Sequence, residues 1–161
     1  EKYRPDLRGF NYRMDAIQGA VLTVKLGHLD RWLEARRQAA RLYDASLTAA
    51  HYGRPTEPPE SRHTYHVYSV LAPQRDLAIA SLTKADIEYG IHYPVPVHLQ
   101  PAYQTLGAGI GSLPVTEKLA DEFLSLPIHS GLSNGDIDRV VNALFVILFR
   151  TSLKSNNKTI S

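Results

Sequence analysis

The sequence predicts an α+β fold, with long helices first and then a small, mostly antiparallel sheet backed by helices. Apolar residues recur at helical spacing from Leu22 to Leu47. Bulky residues then follow one another over residues 65–71 in the pattern of a strand. No glycine-rich turn joins a strand to a helix, and strands do not alternate regularly with helices, so a parallel α/β sheet is disfavoured.

The amino-terminal helical region is expected to form two helices. Asp15 is a good N-cap, and Gln18, three residues later, can reach back to its backbone N–H in a capping box. A glycine inside a helix costs about 1 kcal/mol relative to alanine, so we expect a break near Gly27 and His28.

The middle of the chain predicts one strand and one short helix. Residues 65–71 carry bulky side chains on both faces, which is typical of a strand covered on both sides, and Pro73 ends it. Asp76 is placed to cap the helix that follows. Gly90 is placed to end that helix in the left-handed conformation.

A stiff segment and another short helix come next. Three prolines within residues 91–103 predict an extended, non-helical run. Ser112 is a candidate cap for a helix that runs from about Pro114 to Phe123.

The remaining residues predict one more strand and a final helix. Residues 124–128 are expected to form the strand, and Ser133 is expected to cap the helix. The helix has an apolar face formed by Ile137, Val140, Val141, Leu144, Phe145 and Leu148. The tail from Thr151 lacks periodicity and is expected to fray.

Composition excludes several classes of protein. A chain of 161 residues with 43% hydrophobic residues is long enough for one domain with a real core. The net charge of +2 gives no reason to expect nucleic acid, and the arginines between residues 31 and 41 are interleaved with acids, as on a solvated helix face. No apolar stretch approaches the roughly 20 residues of a membrane span. The absence of cysteine fits a reducing compartment, and we expect a cytoplasmic protein.

Two loops carry candidate binding residues. Asn11 and Arg13 lie just before a helix start, where an amide and a guanidinium suit a phosphate. Alternatively, Arg13 pairs with an acid and Asn11 caps a turn. His92, Tyr93 and His98 lie in the proline-stiffened run and suit a hydroxylated ligand such as a sugar. Alternatively, Tyr93 belongs to the core and the histidines are half-exposed loop residues.

Other chemistry is poorly supported. His63 and His66 fall on opposite faces of the predicted strand, so we assign no metal site. The chain contains neither a Gly-x-Ser-x-Gly elbow nor a phosphate-binding glycine loop.

A series of motifs between Gly9 and Leu144 resembles one enzyme family. The motifs are Gly9-x-Asn11-x-Arg13-Met14-Asp15-x-Ile17-Gln18, Lys25-Leu26-x-x-Leu29, Arg36-Arg37, His66-x-Tyr68, Arg75-Asp76, His92-Tyr93-Pro94-x-Pro96-x-His98-Leu99-Gln100, Leu113-Pro114-x-Thr116-Glu117 and Leu124-Ser125-Leu126-Pro127. In order and spacing they resemble the C-terminal part of the DegT/DnrJ/StrS sugar-nucleotide aminotransferases. These are fold-type-I enzymes that depend on pyridoxal phosphate.

The resemblance implies a function for the complete enzyme. Members transfer an amino group, usually from glutamate, to a keto sugar attached to a nucleotide, and they work as dimers whose active sites use both subunits. By this resemblance Asn11 reaches the cofactor phosphate of the neighbouring subunit, with Arg13 as a possible second contact. His92, Tyr93 and His98 match the loop that lines the sugar-nucleotide site. This version of the loop looks most like that of enzymes acting on dTDP-linked keto-deoxy sugars.

The resemblance also implies a division of the chain. Residues 1–28 would belong to the edge of a large domain, residues 29–150 would form the small C-terminal domain, and residues 151–161 would be a flexible tail. The lysine that forms the Schiff base with the cofactor lies in the family's earlier half, so no catalytic residue is assigned here. We therefore expect this chain alone to be inactive and not to bind pyridoxal phosphate. The alternative is a stand-alone, non-catalytic binding or dimerisation module derived from the same fold.

Overall fold

Five helices and two strands form the part of the chain that the computed structural model describes, residues 13–47 and 52–156, with Gln104 and residues 146–156 given as backbone only. The helices are Ala16–Leu26 (α1), Leu29–Leu47 (α2), Arg75–Lys84 (α3), Pro114–Glu122 (α4) and Asn134–Asn156 (α5). The strands Tyr68–Leu71 (β1) and Phe123–Leu126 (β2) pair antiparallel. The predicted α+β fold is confirmed.

Nearby residues set the start of the first helix and the break between the first two helices. The Asp15 carboxylate caps α1 by accepting a hydrogen bond from the backbone N–H of Ile17 at 2.7 Å. The predicted break is confirmed, since Gly27 and His28 lie between α1 and α2. α2 buries Ala39, Ala40, Tyr43 and Leu47, whereas none of the 11 residues of α1 is buried.

The first strand is shorter than predicted because a side chain takes the hydrogen bonds that its first part would need. Tyr65 has a φ of 46°, outside the strand region, and only residues 68–71 pair with β2. The Arg36 guanidinium donates to the Tyr65 carbonyl at 3.1 Å and to the His66 carbonyl at 3.4 Å. Strand pairing therefore begins only at Tyr68.

The second strand also ends earlier than predicted, and side chains again bind the carbonyls beside its end. β2 stops at Leu126, because Pro127 has no N–H to contribute to a ladder. The Tyr43 hydroxyl donates to the Pro127 carbonyl at 3.0 Å, and Arg36 donates to the Ile128 carbonyl at 3.0 Å. Arg36 on α2 thus links the segments beside both strands.

The predicted ends of α3 were wrong at both positions. Its N-cap is Gln74, and Asp76 lies in the first turn instead. Its last residue is Lys84, and the left-handed position that follows is Asp86, with a φ of 54°. Gly90 instead forms an antiparallel bridge with Ser125, where a Cβ on residue 90 would lie 2.5 Å from Cε1 of His92. Glycine is needed there for space, not for a left-handed turn.

The proline-rich segment is also less extended than predicted. Two short 3-10 helices, Val97–Leu99 and Pro101–Leu106, follow its first residues. Pro101 opens the second of them, a position where the missing N–H has no intrahelical acceptor to lose. Ser112 does not cap α4; its N-cap is Leu113, and the Ser112 hydroxyl accepts from the Gly109 N–H at 3.0 Å.

The last helix closes the core. The Ser133 hydroxyl accepts from the Asp136 N–H at 3.2 Å, and the Asp136 carboxylate accepts from the Ser133 N–H at 2.9 Å, so the predicted cap is confirmed as a reciprocal pair. The buried residues that α5 contributes are Ile137, Val140, Val141, Ala143 and Leu144. Its backbone stays helical to Asn156, beyond Thr151, where fraying was expected. Among the described helices, none has the length and apolarity needed to cross a membrane.

A two-armed ion pair fastens the loop before β1 to α2. Arg37 donates to both carboxylate oxygens of Glu57, at 2.9 and 3.2 Å, and to the His63 carbonyl at 2.8 Å. The bond from Arg37 is the main cause that holds the pKa of Glu57 below its usual value, and the bond from the His63 N–H adds to it. Since Arg36 and Arg37 both bind backbone carbonyls, the prediction of a simple solvated face was wrong for these two arginines.

We expect Leu144→Ala to destabilise the fold strongly, because Leu144 lies on the buried face of α5 and its side chain is fully buried in the core. Buried leucine-to-alanine changes cost about 2–5 kcal/mol. The matched control is Leu77→Ala on α3, whose side chain is 51% exposed and whose loss should cost about 0.5 kcal/mol. Urea unfolding followed by circular dichroism measures both, and equal costs would contradict this description of the core.

We expect Glu57→Gln to lower stability at pH 7 and to lose its effect in acid. The pKa of Glu57 is lowered in the folded state, so its contribution is present above about pH 4.5 and disappears as the pH falls through the folded-state value. Urea midpoints at pH 7 and pH 3 measure this difference. Glu60→Gln, which alters an exposed carboxylate in the same loop, is the control and should change neither midpoint.

Candidate functional site

The residues ahead of α1 form the first part of the candidate site. Arg13 is exposed there, and Asn11 lies outside the described residues. The carboxylate of Asp15 already occupies an N–H at the helix start. A phosphate at this end would therefore be bound mainly by side chains that precede the cap, with less help from the helix terminus than the sequence suggested.

The start of the proline-rich loop is anchored to the sheet. Gly90 and Ser125 exchange two backbone hydrogen bonds, of 3.0 and 2.8 Å, so residue 90 continues the sheet beyond β2. His92 and Tyr93 follow directly. Their side chains are exposed, Tyr93 by 73%, and their rings meet edge to face with centroids 5.5 Å apart. The structure thus brings two of the predicted sugar-binding residues together on one exposed surface.

Two serines in the sheet form a hydrogen-bonded chain with the side chain of His92. Its Nδ1 lies 2.9 Å from the Ser125 hydroxyl, and that hydroxyl lies 2.9 Å from the hydroxyl of Ser69. Ser69 and Ser125 are direct partners in the β1–β2 register. Neither serine was predicted to have a role, because a serine inside a short strand carries no distinctive signal.

His98 is directed away from that surface. Its side chain is only 9% exposed, and Nε2 lies 3.1 Å from the carboxylate of Glu117 on α4. Within the described part of the chain, its buried Nδ1 has no hydrogen-bond partner. The structure therefore places His98 between the loop and α4, and it does not set its ring beside those of His92 and Tyr93.

Glu117 binds several groups of the preceding loop at the start of α4. Its carboxylate accepts from the backbone N–H of Gly111 at 2.9 Å and of Leu113 at 3.2 Å, in addition to its contact with His98. The Gly111 N–H is the main cause of a lowered pKa at Glu117, and the bonds from Leu113 and His98 act in the same direction. The sequence offered no capping-box signal for this role, since Glu117 lies four residues after the N-cap Leu113 and not three.

A groove between α1 and α2 is the second surface feature. It has a volume of about 390 Å³. Its lining is mainly apolar and consists of Leu22, Lys25, Leu26, Leu29, Trp32, Leu33, Arg36 and Ser130. Leu26 is 66% exposed, and Ile17 on the same helix is 76% exposed. An apolar helix left this open is typical of a surface that another polypeptide covers.

Within residues 13–47 and 52–156, few side chains are arranged for covalent or metal chemistry. Among the residues described, no three His, Asp or Glu side chains are grouped to hold a metal ion. Lys25, Lys84 and Lys118 are exposed on the surfaces of three different helices. An exposed lysine lacks the desolvated surroundings that make an amine nucleophilic near neutral pH.

The chain matches characterised proteins over most of its length. It is 42% identical over 145 residues to the erythromycin biosynthesis sensory transduction protein EryC1 of Saccharopolyspora erythraea, an alignment of 89% of this chain and 40% of that protein. It is 37% identical to the dTDP-3-amino-3,4,6-trideoxy-alpha-D-glucose transaminase of Streptomyces venezuelae, over 89% of this chain and 38% of that one. The chain therefore spans about 40% of the length of these relatives.

The fold is shared with a solved structure of the same kind. The crystal structure of S. venezuelae DesV in complex with a ketimine intermediate superposes with a TM-score of 0.84 and 37% identity, over 89% of this chain and 39% of that one. The model of the DegT/DnrJ/EryC1/StrS aminotransferase family matches residues 1–145. The sequence motifs, the two-stranded α+β fold and this match agree, and the chain belongs to the DegT/DnrJ/EryC1/StrS aminotransferase family.

Proposed function

We propose that the protein containing this chain transfers an amino group, from glutamate, to a nucleotide-linked keto-deoxy sugar with pyridoxal phosphate as cofactor. The observation that carries this proposal is the exposed His92–Tyr93 pair on a stiff loop, in a chain 37% identical to a dTDP-sugar transaminase. This chain contributes part of the sugar-binding wall and the contact to the cofactor phosphate. The amine that attaches the cofactor is contributed by another part of the full-length protein.

The loop provides the sugar contacts in this proposal. Prolines restrict the loop backbone, so Tyr93 and His92 lose little conformational freedom when a ligand binds. The phenol and imidazole offer hydrogen bonds to sugar hydroxyl or keto oxygens, and the ring of Tyr93 offers an apolar face. His98 takes a different role here, because its bond to Glu117 ties the loop to α4 and keeps the loop in place.

The chain's groups fit one end of the cofactor. The exposed guanidinium of Arg13, with the amide of Asn11 two residues earlier, suits a phosphate. Pyridoxal phosphate, when bound, supplies an electron sink for the carbon that exchanges its amino group. None of Lys25, Lys84 and Lys118 is desolvated as a cofactor-attaching lysine should be. These are the three of the six lysines whose side chains the structure describes, and we propose that this chain alone neither retains the cofactor nor transaminates.

A second subunit completes the site in this proposal. The apolar residues of α1 are exposed, and the groove beside α1 is lined with leucines and Trp32. Burial of such a surface between two subunits would stabilise a homodimer through the hydrophobic effect. It would also bring Asn11 of one subunit to the cofactor of the other.

A second candidate function is a non-catalytic dimerisation or binding module. The exposed apolar face of α1 favours it, because that face would drive association whether or not chemistry occurs. A measurement of transaminase activity in the full-length protein separates the two, since the module would associate without turnover.

We expect His92→Ala in the full-length protein to raise KM for the nucleotide-linked sugar. Loss of one or two hydrogen bonds to the ligand should lower kcat/KM by roughly 5- to 100-fold, with KM for glutamate nearly unchanged. Steady-state kinetics with each substrate varied in turn measures this. His129→Ala, a change at an exposed histidine after β2, is the matched control. If His92→Ala lowered only thermal stability, the sugar-binding role of His92 would be wrong.

We expect Asn11→Ala and Ile17→Asp to separate cofactor binding from dimer formation. Asn11→Ala removes a charge-assisted hydrogen bond of about 1.5–3 kcal/mol and should weaken cofactor retention by about 10- to 100-fold while the dimer persists. Ile17→Asp places a charge on the exposed face of α1, near a helix start that tolerates acids, and should give monomers. Analytical ultracentrifugation and cofactor titration of the full-length protein measure both effects. A stable Ile17→Asp dimer would remove α1 from the proposed interface.

A further inference from the structure

Ser125 is an unusual residue for its position. It lies in β2 between Leu124 and Leu126, and all three side chains are buried. Apart from the tyrosines, Ser125 is the one polar residue that is buried among those the structure describes, with 4% exposure. A buried hydroxyl is costly unless it is hydrogen-bonded, so the contacts that it makes indicate why an apolar residue is absent there.

The Ser125 hydroxyl makes two such contacts. The Ser69 hydroxyl on the neighbouring strand lies 2.9 Å from it. Nδ1 of His92, in the loop that follows Gly90, also lies 2.9 Å from it. Within the described part of the chain, the hydrogen bonds of the His92 side chain are confined to Nδ1, so Nε2 is left for a ligand.

Gly90 makes the contact between His92 and Ser125 possible. The His92 ring folds back over residue 90, where a Cβ would lie 2.5 Å from Cε1 and 3.2 Å from Nδ1. The backbone of Gly90 is itself bonded to that of Ser125 in both directions. Residues 90, 92 and 125 therefore form one unit in which the absent side chain of residue 90 leaves the space that the imidazole occupies.

The serine pair accommodates either tautomer of the His92 imidazole. Each hydroxyl both donates and accepts, so Ser125 can donate to a bare Nδ1 or accept from an Nδ1–H. In the second case Ser125 donates onward to Ser69. Neither tautomer therefore leaves a buried polar group unpaired.

We propose that Ser125 is a positioning residue for sugar recognition: backed by Ser69 and given room by Gly90, it holds the imidazole of His92 with Nε2 turned towards the substrate. This inference rests on the proposed function, since it assumes that His92 contacts the sugar nucleotide. It assigns roles to Ser125, Ser69 and Gly90, which do not themselves touch the substrate. A ring held in one orientation binds its ligand without first losing rotational freedom.

The kinetic test is a double-mutant cycle in the full-length protein. Ser125→Ala should raise KM for the nucleotide-linked sugar by about 5- to 20-fold, with kcat and KM for glutamate within about twofold of wild type. In the His92→Ala background the same change should have no further effect, because the residue that Ser125 positions is gone. Additive effects of the two changes would overturn the proposal.

Three further variants complete the design. Gly90→Ala should reproduce the rise in KM from the loop side without altering the core, so it tests the proposal even if Ser125→Ala folds poorly. Ser125→Thr, which keeps the hydroxyl, should restore most of the sugar affinity. Ser81→Ala is the matched control, because it removes a serine hydroxyl that donates to the Ala143 carbonyl at 2.6 Å between α3 and α5. A normal sugar KM in Gly90→Ala would overturn the proposal.

A spectroscopic measurement separates this inference from the proposed function. With ¹⁵N-labelled histidine in the full-length protein, Ser125→Ala should shift the Nδ1 resonance of His92, and Ser81→Ala should not. If His92→Ala leaves sugar kinetics unchanged while that resonance still shifts, the substrate role fails but the positioning contact stands. If the resonance is unchanged in Ser125→Ala, the positioning role is wrong whatever the kinetics show.

Discussion

The antiparallel pairing of β1 with β2 is the constraint on which the rest of the structure depends. It sets Ser69 opposite Ser125, residues 56 positions apart in the chain. The bridge between Gly90 and Ser125 then attaches the proline-rich loop to the same sheet edge. Without this register neither the serine pair nor the placement of His92 would exist, because the side-chain period of two in a strand would turn Ser125 to the other face.

The helices hold this small sheet by polar as well as apolar contacts. A two-stranded sheet is only marginally stable alone and needs helices packed against it. Tyr43 on α2 stacks on Tyr68 of β1 with ring centroids 5.0 Å apart, and both rings are fully buried. Each phenol also finds an acceptor, the Pro127 carbonyl for Tyr43 and the Asp44 carboxylate for Tyr68. Burial raises the pKa of both phenols, so they stay neutral donors.

The candidate site combines hydrogen-bonded supporting residues with exposed aromatic side chains. Ser125 and Glu117 are tied into the sheet and the start of α4, whereas His92 and Tyr93 present their rings at the surface. In the proposed function this arrangement suits sugar recognition, because polar contacts that are placed in advance cost little on binding. The exposed apolar residues of α1 and the groove beside it are far from this loop in the sequence. In the proposed function they form the contact between two subunits and do not bind the sugar.

Local chemistry determined much of what could be predicted. The caps at Asp15 and Ser133, the break at Gly27 and the buried face of α5 all depend on residues within a few positions of each other. The motifs that placed the chain in its family are likewise short and readable in order. The adjacency of His92 and Tyr93 in the sequence also made their joint exposure on one loop a reasonable expectation.

Only the tertiary structure decided the features that depend on distant residues. β1 begins at Tyr68 because Arg36, about 30 positions earlier, binds the carbonyls before it. Gly90 is needed for the ring of His92 and not for the end of α3, and His98 turns inward because Glu117 lies across from it. The sequence by itself determined the α-helices, the two strands and the family, since these follow from short-range patterns. The strand limits, the serine support beneath His92 and the direction of His98 follow from packing between segments that no local pattern connects.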